Sequence, residues 1–180
     1  MKSAADGQAA LAEELRTLGG SAAACLRAAA DLPQADERHP GPAQLAAGGP
    51  RAAGQEREYE LLLEMIYEGT RLHYGSPRVF AVADPDLRLL LGDHLYASGL
   101  ARLAQIGDLE AVAELADLIS LLAQAYAREQ SELADAIWVA GARAIGWGGS
   151  PRYEAAKDLA RGELEGARAA LLSASLVGGS

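Results

Sequence analysis

Two histidines and an aspartate are the residues of this sequence whose types could bind a metal ion. His73 precedes a Gly-Ser-Pro turn, and Asp93 and His94 follow each other further along the chain. Successive residues on a helix are about 100° apart, so Asp93 and His94 do not easily share one ion. Their spacing also matches no zinc signature. We therefore expect a capping or partly buried histidine and a surface carboxylate, and no metal ligands.

Nucleophilic catalysis has few candidates in this chain. Its one cysteine, Cys25, lies in an alanine-rich stretch, and the sequence contains no Gly-x-Ser-x-Gly motif. A reactive serine or thiol needs a strained turn or an activating neighbour. The glycine clusters at 19–20 and 146–149 lack the lysine and the preceding strand of a phosphate loop. We expect no catalytic residue.

Two arginines, Arg71 and Arg78, flank the turn at residues 75–77. A guanidinium at such a position can bind a phosphate or a carboxylate of a partner. With His73 and Asp93, they are the residues that we expect to contact a ligand or partner. The alternative is that both arginines are simply solvated.

Composition indicates one all-α domain. The chain has 180 residues, of which 50% are hydrophobic and only 5% aromatic, and alanine and leucine dominate. These two residues favour helices, and no alternating run typical of a strand occurs. The net charge of −9 repels phosphate backbones, so we expect no nucleic-acid partner. A lone cysteine cannot form an internal disulfide, and acidic residues interrupt the apolar N-terminal run, so we expect a cytoplasmic protein. No apolar stretch reaches about 20 residues, so we expect no transmembrane segment.

Periodicity and turn residues predict three regions. Short N-terminal helices occupy residues 1–31, at 8–18 and 21–31. A Pro/Gly-rich linker at 32–55 has too many helix breakers for a regular element, so we expect it to be loop-rich or disordered. A helical domain covers 56–176. Its predicted helices run from 58 to 74, 84 to 106, 109 to 128, 131 to 144 and 151 to 173.

Two of these helices indicate close contact with other helices. The helix at 84–106 carries many small residues, which usually means that another helix approaches closely: Gly92, Ala97, Ser98, Gly99, Ala101 and Ala104. The helix at 109–128 has an apolar arc wider than one neighbouring helix needs. We expect the helix at 109–128 to be buried on more than one side, in a core or at an interface.

The order of these segments resembles the middle of the trans-polyprenyl diphosphate synthases. Residues 90–97, Leu-Leu-Gly-Asp-His-Leu-Tyr-Ala, are similar to the family's Leu-Ala-Gly-Asp-Tyr-Leu-Leu-Ala. Ile-Gly-Asp at 106–108, the apolar helix at 109–128 and the helix at 60–73 also match in order and spacing. The resemblance covers under half of the chain.

The chain departs from this family at the residues that perform the chemistry. Tyr74 and Gly75 stand where the family has magnesium-binding aspartates, and the loop at 75–84 is short and lacks Arg-Arg-Gly. Ala125-Tyr126 replaces Gly-Gln or Gly-Glu, and nothing in 128–180 resembles the second aspartate-rich motif. Loss of a diphosphate needs metal charge to stabilise the leaving group, so we expect no independent catalysis.

The resemblance then implies the small, non-catalytic subunit of a heteromeric bacterial long-chain synthase, of the hexaprenyl or heptaprenyl type. Its partner would be a catalytic synthase subunit, in a heterodimer or heterotetramer, and would bind the Mg²⁺. This chain would bind no cofactor alone. It would support activity and product length, as for a menaquinone side chain, by lining the product tunnel or holding the partner's helices.

The predicted subunit interface follows from the same two helices. It comprises Leu95, Gly99, Arg102, Leu115, Ile119, Leu122 and Tyr126. Two alternatives remain at this point. The chain could be a stand-alone helical interaction module that forms a homodimer, or an enzyme with an unrecognised site near Arg71, His73, Asp93 and His94.

Overall fold

The protein is described from a computed structural model, which describes residues 3–28, 31–32, 39–162 and 165–176. In these residues the only β-structure is one isolated antiparallel bridge between Leu26 and Phe80, so the all-α prediction is confirmed. None of their helices is long and apolar enough to cross a membrane. The helices are α1 (Ala4–Leu18), α2 (Gly20–Ala24), α3 (Pro42–Ala47), α4 (Glu56–Tyr74), α5 (Pro85–Ile106), α6 (Leu109–Ala127), α7 (Ser131–Trp147), α8 (Pro151–Arg161) and α9 (Ala167–Leu176).

The structure differs from the prediction in the segment at 32–55. Residues 42–47 form α3, and a 3₁₀ turn follows at Pro50–Ala52. Ala46 and Ala52 are fully buried. Both prolines stand at the first position of their element, where a missing N–H costs nothing, so they start helices instead of breaking them. Residues 33–38 of the predicted linker lie outside the described residues.

Two other predicted helices end early. The helix expected at 21–31 stops at Ala24, and residues 29–30 lie outside the described part of the chain. The helix expected at 151–173 is two helices, because α8 ends at Arg161 and α9 begins only at Ala167. Gly166, with φ of 86°, directly precedes α9 and interrupts the helical conformation.

The chain forms two compact units, and their limits differ from the predicted regions. The first unit contains residues Met1–Gln44 and Glu56–Ile106, and the second contains Leu45–Gln55 and Gly107–Ser180. The second unit is thus built from two separate stretches of chain.

In the first unit, α5 packs along α4 at backbone distance. A Cβ atom on Gly69 would lie 3.1 Å from the Gly92 carbonyl oxygen, and one on Gly99 would lie 2.9 Å from that of Leu62. The small residues of α5 therefore serve contact with α4. The core beside this pair is a cluster of buried side chains: Leu11, Ala12, Leu15, Met65, Leu72, Val79, Phe80, Leu91 and Leu95.

In the second unit, α7 packs against α6, α9 and the segment at 45–55. A Cβ atom on Gly141 would lie 2.2 Å from Leu118 Cδ1, and one on Gly49 would lie 2.1 Å from the Gly146 carbonyl oxygen. Arg51 donates hydrogen bonds of 2.5 Å to carboxylate oxygens of Asp108 and Glu110, at the start of α6. These contacts join the segment at 45–55 to the C-terminal helices.

Candidate functional site at the end of helix α4

Three glutamates follow one face of α4. Glu60, Glu64 and Glu68 are spaced four residues apart, so they lie one above the other on the helix. They are only 3%, 2% and 0% exposed. Buried carboxylates are costly unless they accept hydrogen bonds from nearby donors. The sequence signal for this cluster is the four-residue spacing of the glutamates. The prediction for this helix used only its apolar stripe and missed them.

The donors come from α3 and from the loop after α4. Arg78 donates from Nη2 to Glu64 (2.7 Å) and from Nε to Glu68 (3.0 Å). Glu68 also accepts the backbone N–H groups of Arg78 (2.7 Å) and Val79 (2.9 Å). Gln44 Nε2 donates to Glu64 at 2.9 Å and to Glu60 at 3.3 Å. The carboxylates therefore fix the loop and Gln44 onto α4.

The positive charge of Arg78 is neutralised by carboxylates inside the protein. Burial opposes that charge, but the adjacent Glu64 and Glu68 carboxylates outweigh the burial, so the pKa of Arg78 lies above its usual value. Arg78 was predicted to contact a ligand or partner. The structure instead gives its guanidinium two internal carboxylate partners.

The loop that carries Arg78 is held from both sides. Val79 and Phe80 are fully buried. The backbone of this loop also pairs with the segment that follows α2. Arg27 N–H donates to the Val79 carbonyl (2.8 Å), and Ala81 N–H donates to the Cys25 carbonyl (2.9 Å). This loop is therefore part of the core.

His73 and Asp93 are brought together, but His94 is not part of the pair. The His73 ring stacks on Tyr96 with centroids 5.1 Å apart, and its Nε2 lies 3.2 Å from Asp93 Oδ1 in a geometry that makes no hydrogen bond. His94 is exposed on the outer side of α5. Within the described ranges, no three His, Cys, Asp or Glu side chains are grouped so that they could hold a metal ion.

Two arginines surround the carbonyl groups at the end of α4. Arg88, from the first turns of α5, donates from Nη2 to the carbonyl oxygens of Leu72 (3.1 Å) and Gly75 (2.7 Å). Arg71 Nε donates to the Ser76 carbonyl at 2.8 Å. Tyr74 beside them is 45% exposed. This turn is the place where the resemblance would put magnesium-binding aspartates, and it carries guanidinium groups instead. Sequence reasoning included Arg71 and missed Arg88.

Most residues of the predicted interface face the interior of their own unit. Leu95, Leu115 and Leu122 are buried, and Gly99 contacts α4. Arg102 forms ion pairs with Glu14 and Glu58. Only Ile119 and Tyr126 are half-buried on the outer side of α6. The wide apolar arc of α6 is largely covered within the second unit, by α7 and α8.

Exposed and half-buried side chains form the outer sides of α5 and α6, and we name these two surfaces separately. The α5 outer face consists of Leu89, Leu90, Asp93, His94, Ala97, Ala101 and Ala104. The α6 outer face consists of Leu109, Val112, Ala113, Ala116, Ile119, Ser120, Ala123, Tyr126 and Ala127. Leu90 is 65% exposed and Leu109 is 76% exposed.

The second unit has a buried lysine that also escaped sequence reasoning. Lys157 Nζ lies 3.0, 2.9 and 3.0 Å from carboxylate oxygens of Glu114, Asp117 and Glu154. Burial opposes its charge, but these carboxylates outweigh the burial and raise the pKa of Lys157. The pairs with Glu114 and Asp117 join α8 to α6.

Comparison with known proteins gives no relative: no family model, no curated protein and no solved structure matches the chain. The likeness to prenyl synthases therefore stays a prediction from the residues.

Proposed function

We propose that this chain is a non-catalytic subunit of a heteromeric polyprenyl diphosphate synthase. It binds its catalytic partner through the outer faces of α5 and α6, and the partner supplies the Mg²⁺ and the reacting groups. The observation that carries the proposal is the α5 outer face, because it is an apolar helix surface that none of the described residues covers.

The α5 outer face has the composition of a helix-packing surface. Leu89 and Leu90 are 47% and 65% exposed, and three exposed alanines extend the surface toward the end of the helix. Its polar residues are Asp93 and His94, and the exposed Asp86 and Gln105 lie at its two ends. Complete burial of a leucine is worth about 1.5–3 kcal/mol, so covering Leu90 alone would supply about 1–2 kcal/mol. A partner helix gains this free energy on binding.

The α6 outer face adds a second surface with the spacing of a close helix pair. Its small residues recur at intervals of three and four: Ala113, Ala116, Ser120, Ala123 and Ala127. This is the period of a helix–helix seam, and small side chains permit a short distance between the axes. Val112, Ile119 and Tyr126 recur every seven residues beside this seam.

The end of α4 supports a non-catalytic role. Arg88 donates to the carbonyl oxygens of Leu72 and Gly75, and Arg71 donates to that of Ser76. Positive charges at this turn repel a divalent cation. Magnesium-assisted departure of diphosphate therefore belongs on the partner.

The packed interior favours a chain that supports its partner through surface contacts over one that forms a wall of the product tunnel. Leu72, Val79, Phe80 and Leu95 fill the space beside the end of α4, and each is at most 1% exposed. A growing prenyl chain at this point would have to displace several of these side chains. Support of the partner's helices is the simpler role.

The proposal is tested by mixing the purified chain with the aspartate-rich polyprenyl diphosphate synthase of the same organism. We expect no elongation by this chain alone and a change in turnover or product length on mixing. Leu90→Glu should remove the effect, whereas Leu18→Glu should not, because Leu18 is equally exposed but lies on α1. Elongation of isoprenoid precursors by this chain alone would refute the proposal. A stable homodimer with no affinity for the synthase would favour an interaction module instead.

A further inference from the structure

Helix α5 exposes two carboxylates beside its apolar outer face and no basic side chain longer than histidine. Asp86 lies at the N-terminal end of the α5 outer face, and Asp93 lies within it. The exposed residues of this helix, all of which the structure describes, include no lysine or arginine: Pro85, Asp86, Leu89, Leu90, Asp93, His94, Ala97, Ala101, Ala104 and Gln105. The surface that the proposed partner covers is therefore both apolar and acidic.

The two arginines of α5 do not neutralise these carboxylates. Arg88 donates to carbonyl oxygens at the end of α4, and Arg102 forms its ion pairs with two glutamates. Within the described residues, no arginine or lysine forms an ion pair with Asp86 or Asp93. The His73 Nε2 lies 3.2 Å from Asp93 Oδ1, and the Asp93 side chain is still 70% exposed. Both carboxylates can therefore pair with a cation from another protein.

The two aspartates lie on one side of the helix with leucines between them. Asp86 and Asp93 are seven residues apart, which is two helical turns or about 10 Å along the axis. Leu89 and Leu90 lie between them and are 47% and 65% exposed. A helix that covers these leucines also removes part of the water around both carboxylates. Opposite charges on that helix would pair with them, whereas like charges would repel them.

We propose that the partner of the α5 outer face is a basic amphipathic helix. Its apolar side chains cover Leu89 and Leu90, and two lysine or arginine side chains about seven residues apart pair with Asp86 and Asp93. Charge pairs at the rim of such a contact fix the register of the two helices and speed their encounter. This inference rests on the proposed function, because it names the chemistry of the partner at the same face.

The same charges disfavour a second copy of this chain as the occupant. A second α5 outer face would bring its own Asp86 and Asp93 to the contact and no arginine or lysine to pair with them. Carboxylates that face one another across a contact repel. The α5 outer face is therefore not self-complementary.

The preference for a basic helix can be tested on the full-length chain with two synthetic helical peptides of about 20 residues. Both peptides have the same stripe of leucine and alanine, and they carry either two lysines or two glutamates, seven residues apart, beside that stripe. Fluorescence anisotropy should show at least about tenfold tighter binding of the lysine peptide. Added salt should weaken this binding, because it screens the charges. Equal affinity for both peptides, or no binding of the lysine peptide, would overturn the proposal.

Variants of the chain localise the contact. The double variant Asp86→Asn with Asp93→Asn should bind the lysine peptide about fivefold more weakly, because two ion pairs are lost. Leu90→Ser should also weaken binding at least about fivefold, because it removes the largest apolar contact. The matched control is Asp135→Asn on α7, since Asp135 is exposed and has no ion pair within the described residues. Unchanged affinity in the double variant, or an equal loss in Asp135→Asn, would indicate unspecific attraction to an acidic chain and refute the assignment.

Experiments with the synthase separate this inference from the proposed function. If the aspartate-rich synthase neither binds the chain nor responds to it, the proposed function fails, and the peptide experiments still decide the preference of the face. If the synthase binds the wild type and the double aspartate variant equally well, the proposed function stands and the basic helix is refuted. A homodimer in sedimentation that Leu90→Ser dissociates would also refute it, because a second copy would then cover this face.

Discussion

Replacing Glu68 by alanine should strongly destabilise the first unit. The Glu68 carboxylate is completely buried and accepts three hydrogen bonds, from Arg78 N–H, Arg78 Nε and Val79 N–H. Alanine leaves these donors without an acceptor and removes one of the two carboxylates that neutralise Arg78. Breaking a buried ion pair by removing one partner costs about 3–5 kcal/mol.

This loss is large compared with the total stability of a domain, which is about 5–15 kcal/mol. For a protein of this size each kcal/mol lowers Tm by about 2–4 °C, so we expect Tm to fall by about 6–20 °C. Urea unfolding followed by circular dichroism gives the free energy, and calorimetry gives Tm. Glu68→Gln should lose less, because its amide oxygen still accepts a backbone N–H.

The matched control is Glu58→Ala on the same helix. Glu58 is exposed and pairs with Arg102, which has Glu14 as a second partner. Exposed pairs contribute about 0.2–1 kcal/mol, so this variant should remain close to the wild type. If Glu68→Ala and Glu58→Ala lose equal free energy of unfolding, the buried glutamates do not hold the loop as described.

Three further outcomes are expected. Gly99→Ala should lower the free energy of unfolding by about 1–3 kcal/mol, because its Cβ would press on α4, whereas Gly75→Ala has room and should change it little; urea unfolding compares them. Stability should fall above about pH 10, because the raised folded-state pKa values of Tyr153 and Lys157 favour their protonated forms. Urea unfolding across alkaline pH should show a smaller fall in Tyr153→Phe. Asp117→Asn should reduce the loss of stability below about pH 4. Burial opposes the charge of Asp117, but the hydrogen bonds from Lys157 and Arg161 outweigh the burial and lower the pKa of Asp117 in the folded state. Acid titration of unfolding compares the variant with the wild type.

The limits of the central helices were predictable because strong local signals define them. Asp84 accepts the N–H groups of Asp86 and Leu87 at the start of α5, as its place before a proline indicates. Asp108 does the same for α6 through Ala111 N–H. α7 begins at Ser131, the predicted position, although the residue before it, Gln130, makes no side-chain cap.

The orientation of side chains was harder to predict than the helices that carry them. Leu95 and Gly99 belong to a face that α4 covers, while Leu90 and Ala97 lie on the exposed face of the same helix. A pattern of small and apolar residues on both faces does not identify which face meets a neighbour. Local spacing also gave no information about Arg88, because its contacts lie on the preceding helix.

The division of the second unit into two stretches has a consequence for synthesis of the chain. Residues 45–55 leave the ribosome long before α7, which supplies Gly146, the backbone partner of Gly49. Residues 45–55 can pack only after α7 has been translated, and contacts between residues so far apart in the sequence slow folding. A fragment that begins at Gly107 would lack Ala46, Gly49 and Arg51 and would expose the groove that they fill. Expression of the C-terminal half alone should therefore require the missing eleven residues Leu45–Gln55 to be supplied as a tethered peptide.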